Sequence, residues 1–97
     1  MNYKGIINSH PLVLVDFFAQ WCGPCKMLSP TLLKIKEKLG DKIKVVKVDI
    51  DKNPAIAARH NIRSVPTMII YKNGKPQRTI KGGLTQADLE YVLNFYL

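Results

Sequence analysis

The chain has 97 residues, 15 of them basic and 7 acidic, for a net charge of +8. That length suits one domain spanning residues 1–97, at roughly 100 to 200 residues per domain, and excludes a large multidomain enzyme. A hydrophobic content of 46% is ordinary for a globular protein and excludes a disordered or disulfide-scaffolded chain.

Met1 to His10 lack the apolar region and cleavage site of a secretory signal. No apolar run approaches the roughly 20 residues that cross a bilayer, so a cytoplasmic protein with no membrane partner is expected. Leu12 to Phe18 is a continuous apolar run broken by Asp16, which predicts a strand buried on both faces with a carboxylate in a costly place. From Cys22 onward, Leu28, Leu32, Ile35 and Leu39 recur at helical spacing up to Gly40, and Pro30 predicts a kink inside that helix. Ile43 to Asp49 is rich in β-branched residues and reads as a second strand.

Asn53 and Pro54 read as the N-cap and first residue of a short helix ending near Asn61. Val65 to Tyr71 is the third predicted strand, Asn73-Gly74 a hairpin turn, and about Gln77 to Lys81 the fourth strand. After Gly82-Gly83, Thr85 and Asp88 suggest a capping box and Leu84 a staple to Leu89, opening a helix with Leu89, Val92, Leu93 and Tyr96 inward. Tyr71, Tyr91, Phe95 and Tyr96 read as core or lid residues. His10 and His60 read as surface residues, His60 near a helix end that favours its charge. The order gives an α/β fold: a mixed sheet flanked by helices, made of a βαβ unit followed by a hairpin.

The lysines are dispersed. Lys34, Lys36 and Lys38 alternate with Ile35 and Glu37 and do not share one helix face, nor do aromatics interleave with basic residues. No nucleic-acid partner is expected; the charge instead favours encounter with acidic proteins.

Chemistry is expected where the first strand hands over to the first helix, at Trp21-Cys22-Gly23-Pro24-Cys25. Bridging Cys22 to Cys25 closes so short a loop that it barely constrains the unfolded chain, so stapling is not its purpose. Two cysteines at this spacing can close a small reversible disulfide, and in a βα context the motif reads as redox. At the helix N-terminus Cys22 meets unpaired N–H groups that favour thiolate, which makes it the nucleophile; Cys25, one turn in, suits the resolving role.

These residues, with Val15-Asp16-Phe17, Val48-Asp49-Ile50-Asp51, Asn53-Pro54, Val65-Pro66-Thr67, Lys72-Asn73-Gly74 and Gly82, resemble the thioredoxin family over roughly residues 12 to 97. The resemblance implies a thioredoxin fold and a protein disulfide reductase, a thiol-disulfide oxidoreductase acting in cell redox homeostasis. It implies no metal and no tightly bound cofactor, and a monomer that works with disulfide-containing clients and a flavin-dependent, NADPH-fed thioredoxin reductase. Asp16 matches the buried carboxylate that takes the proton of Cys25, with Lys47 nearby. Pro66 matches the cis-proline facing the disulfide and, with Gly23 and Pro24, tunes the site; Val65 offers backbone groups to a substrate strand. Trp21, Thr67, Gly82 and Gly83 border the docking surface. Too few residues precede Asp16 for the family's usual first strand and helix, so four strands are expected, with a short helix over residues 2–9.

Other readings of the same residues are a Cys2His2 zinc site with His10 and His60, an oxidant or isomerase on the same fold, and a binding module whose cysteines are incidental. Gly23-Pro24 resembles the reducing members of the fold.

Overall fold

Leu12–Phe18 forms the central strand, β1, because its apolar side chains alternate between two covered faces, and every residue from Leu12 to Phe17 is buried. The computed structural model describes residues 1–97, in the order α1 (Tyr3–Ile7), β1, α2 (Gly23–Leu39), β2 (Lys44–Asp49), α3 (Pro54–Arg59), β3 (Thr67–Lys72), β4 (Lys75–Lys81) and α4 (Gln86–Asn94). The sheet has four strands in the order β2-β1-β3-β4; β2 is parallel to β1, and the other pairs are antiparallel. This is the mixed sheet expected from the sequence, with β2 at one edge.

Alternation along β1 divides the interior in two. Leu12 and Leu14 pack with Leu28, Leu32 and Ile35 of α2 and Leu89 and Leu93 of α4. Val13, Val15 and Phe17 pack on the other face, with Tyr3 of α1 and Ile56 of α3. Asp16 keeps the same period and therefore lies on the α2 side, in register with Lys47 on β2 and Met68 on β3.

Several boundaries and caps differ from expectation. β3 begins at Thr67, since Pro66 has no N–H for the ladder. Asn53 stands at the N-cap of α3, but its amide donates to the Asp49 carbonyl at 3.1 Å and does not cap the helix. Thr85 Oγ1 accepts the Asp88 N–H at 3.2 Å, the forward half of a capping box. Tyr71 is buried, whereas Tyr91 and Phe95 are 71% and 76% exposed, so the reading of those two as core or lid residues is corrected. They lie on the face of α4 opposite Leu89, Val92 and Leu93.

His60 is also corrected. Its ring lies 4.4 Å from that of Tyr3 and 6.0 Å from that of Phe17. His60 stands at the end of α3 as expected but is half-buried, and burial, reinforced by the Arg59 charge, holds its pKa below the usual histidine value, which disfavours a helix-end charge.

Asn73 and Gly74 have positive φ angles of 51° and 79°, as a tight hairpin turn requires. A Cβ on Gly74 would also collide with the Asn8 side chain. Gly74→Ala is expected to lower the unfolding free energy by about 1–2 kcal/mol, seen as a lower denaturant midpoint at unchanged slope.

Candidate active site

β1 ends at Phe18 and α2 starts at Gly23, so Ala19 to Cys22 carry the chain from sheet to helix. Cys22 is the N-cap of α2. Its Sγ accepts the Cys25 N–H at 3.1 Å, taking the place of the oxygen that usually caps a helix. Pro24 falls in the first turn, where no backbone donor is needed. One turn of helix brings the Cys22 and Cys25 Cα atoms to 5.3 Å, and the two sulfurs are joined in a disulfide. Both residues are nearly buried, at 4% and 2% exposure, so exposure does not separate their roles. Position does: Cys22 Sγ stands at the positive end of α2 and lies 3.7 Å from the Val65 carbonyl oxygen, while Cys25 is already within the helix.

Asp16 is fully buried, and neither of its carboxylate oxygens has a hydrogen-bond partner. Desolvation raises its pKa from 3.8 to about 6, against a smaller lowering by the Lys47 charge. Lys47 does not pair with it directly. The ammonium bonds Ser29 Oγ at 2.7 Å and lies 4.7 Å from the centre of the Phe18 ring.

Across from Cys22 the Val65–Pro66 peptide bond is cis, and Pro66 and Thr67 are buried. Thr67 Oγ1 donates to the Ser64 carbonyl at 2.7 Å. The Gly82 N–H donates to the Pro66 carbonyl at 2.8 Å, with a Gly82 φ of 86° that suits glycine. This bond ties the Gly82-Gly83 loop to the proline segment. Pro24 and Gly83 line one shallow groove with Met27 and Leu84. Trp21 is 69% exposed, and its indole N–H donates to Asp51 Oδ2 at 2.9 Å.

The sequence assigns no role to Ser29 or to Asp49. Asp49 accepts the N–H groups of Asp51 at 2.9 Å and Lys52 at 3.3 Å, shaping the turn that carries Asp51 to Trp21. An aspartate at a strand end followed by Ile50-Asp51-Lys52-Asn53 was the available signal for that turn. The Cys2His2 arrangement is not built: His10 bonds Ser9 at 3.0 Å, His60 packs on Tyr3, and no cluster of three or more ligating side chains exists.

A family model, Thioredoxin, matches residues 1–94. The chain belongs to the thioredoxin family. It is 48% identical over 92 residues to the thioredoxin of Porphyra purpurea, spanning 95% of this chain and 86% of that protein. It is 56% identical over 82 residues to the chloroplastic thioredoxin Y of Oryza sativa subsp. japonica, spanning 84% of this chain and 49% of that protein. The oxidised mitochondrial thioredoxin 3 of Saccharomyces cerevisiae superposes with a TM-score of 0.87 at 32% identity, over 96% of this chain and 86% of that one. Thioredoxin-family proteins are thiol-disulfide oxidoreductases without a tightly bound cofactor, and the Cys22–Cys25 disulfide is the group through which this chain exchanges electrons with protein disulfides.

Proposed function

We propose that this chain reduces disulfides in client proteins, with Cys22 as the attacking thiolate and Cys25 as the resolving thiol. The observation that carries this reading is the position of Cys22 Sγ, at the N-cap of α2 and facing the Val65 carbonyl. The helix N-terminus stabilises negative charge on that sulfur. An extended client segment lies along Val65 and Pro66, pairing with the Val65 backbone as an added strand.

Cys22 attacks one sulfur of the client disulfide, forming a mixed disulfide and releasing the first client thiolate. Asp16 takes the proton of the Cys25 thiol; an acid with a pKa of about 6 is ionised at neutral pH yet still accepts a proton. The Cys25 thiolate then attacks Cys22 Sγ, breaking the mixed disulfide and releasing the second client thiolate. Two electrons have passed to the client, and the Cys22–Cys25 disulfide remains. A flavin-dependent thioredoxin reductase supplied by NADPH restores the dithiol. Lys47 tempers the charge on Asp16, while Gly23 and Pro24 keep the pair reducing. Trp21, Thr67, Gly82 and Gly83 border the docking surface, and the net charge of +8 favours acidic partners. The protein acts as a monomer in a reducing compartment such as the cytoplasm.

Equilibration with glutathione buffers followed by thiol trapping tests the direction of transfer. The expected potential is about −270 mV, the value characteristic of thioredoxin. A value near about −120 mV, as in the strong oxidants of this chemistry, would make the protein a disulfide donor.

Trp21→Ala tests the docking surface. An exposed indole held by one surface hydrogen bond contributes little to folding, so stability should change by no more than about 0.5 kcal/mol. Reduction of a protein disulfide is expected to slow several-fold, through KM, while reduction of a small disulfide such as cystine stays unchanged. Equal losses on both substrates would remove Trp21 from the docking surface.

A further inference from the structure

Lys47 is anchored, although it is an exposed lysine on an edge strand, where such side chains ordinarily sample solvent. Its ammonium donates to Ser29 Oγ at 2.7 Å and rests 4.7 Å from the centre of the Phe18 ring. Ser29 Oγ in turn donates its proton to the Cys25 carbonyl at 3.4 Å, which turns a lone pair toward the ammonium. Ser29 and Lys47 line a groove of about 270 Å³ between α2 and β2, together with Leu32, Leu33, Lys36 and Val45.

Asp16 lies beside Lys47 in the sheet register, buried and without a hydrogen bond. The groups around it on the α2 side of the sheet leave few charges to act on it. The α2 side of the sheet is otherwise apolar: Met68 is the β3 register partner of Asp16, and Leu28 and Leu32 of α2 pack there with Leu89 and Leu93 of α4. The Lys36 ammonium is occupied by the Gly40 and Ile43 carbonyls at 2.8 and 2.7 Å. Lys47 is in register with Asp16, and its charge works against the desolvation of the carboxylate.

We propose that Ser29 is a positioning residue: by anchoring the Lys47 ammonium beside β1, it sets the pH at which Asp16 ionises and so the pH at which Asp16 can take the Cys25 proton. The second half of this statement rests on the reading of Asp16 as proton acceptor given above. The coupling follows from Coulomb's law. Without the hydroxyl the ammonium loses its hydrogen-bonding partner and moves into water, the distance to the carboxylate grows, and the carboxylate loses stabilisation. An opposite charge nearby lowers a carboxylate pKa, and releasing the anchor removes part of that effect.

The test is a carboxyl 13C NMR titration of Asp16 in the oxidised protein, which needs no activity to read. Ser29→Ala is expected to raise the Asp16 midpoint by about half a pH unit or more. Alanine is the better helix former and Ser29 is only partly buried, so this variant folds. Ser29→Thr, which keeps the hydroxyl, is expected to restore the original midpoint. In a Lys47→Met background, Ser29→Ala is expected to add nothing, because its effect runs through Lys47. An unmoved midpoint in Ser29→Ala, or an equal shift with and without Lys47, overturns the proposal. The pH profile of the Cys25 resolution step is measured alongside. If the midpoint moves and that profile does not, the failure belongs to Asp16 as proton acceptor and not to the Ser29–Lys47 anchor.

Discussion

Cys22→Ser is expected to abolish disulfide reduction, whereas Cys25→Ser is expected to stop it one step later, with the client covalently attached. The two sulfurs are almost equally buried, so the asymmetry comes from their places on α2. Cys22 caps the helix, where developing negative charge meets the Cys25 N–H and the helix dipole. A serine hydroxyl at that place is a good cap but a poor nucleophile at neutral pH. Turnover should therefore fall by at least about a thousandfold, one activated nucleophile being worth several powers of ten. The fold should survive, because so short a loop gives the disulfide at most about 2 kcal/mol of stabilisation. Cys25→Ser keeps the attacking thiolate and removes only the group that releases the client, so the mixed disulfide accumulates. Non-reducing electrophoresis and intact-mass measurement with a disulfide client read both outcomes. Covalent client on Cys22→Ser and none on Cys25→Ser would exchange the two roles.

Local chemistry explains what was legible in the sequence and what was not. The β1 run, the α2 periodicity and the Asn73-Gly74 turn each depend on neighbouring residues, and the structure has all three. The cysteine pair was equally plain, because its spacing and its helix-start position lie in one pentapeptide. Asp16 was visible as a charge inside an apolar run, and its complete burial follows from β1 being central. Side-chain contacts between distant segments were not legible. Nothing near Ser29 in sequence announces a bond to Lys47 on β2, and nothing near His60 announces the ring of Tyr3. The spacing of Tyr91 and Phe95 suits packing, but the α4 face they occupy lies opposite Leu89, Val92 and Leu93, which face the core.

Asp16→Asn is expected to make the protein more stable and less effective at neutral pH. Burial raises the Asp16 pKa from 3.8 in the open chain to about 6 in the folded one, so the folded state binds the proton more tightly. For an acid shifted upward, the folded state is favoured while the proton is on. That advantage drains away as the pH rises from about 4 through about 6. Above that window the buried carboxylate is ionised, and the fold carries a penalty of roughly 3 kcal/mol relative to its protonated form. Asparagine is neutral throughout, and its amide replaces a carboxyl whose oxygens already lacked partners. Wild type and variant should therefore be similar near pH 4, with the variant ahead by about 2–3 kcal/mol at pH 7.5. The resolution step should move the other way. Without a carboxylate to take the Cys25 proton, release of the mixed disulfide at pH 7 should slow by about a hundredfold, within the range of general-base effects. Denaturant unfolding at both pH values and single-turnover release of a labelled client measure the two halves. A stability difference that does not vary with pH would mean that Asp16 does not titrate in this window, and an unchanged release rate would mean that water takes the Cys25 proton instead.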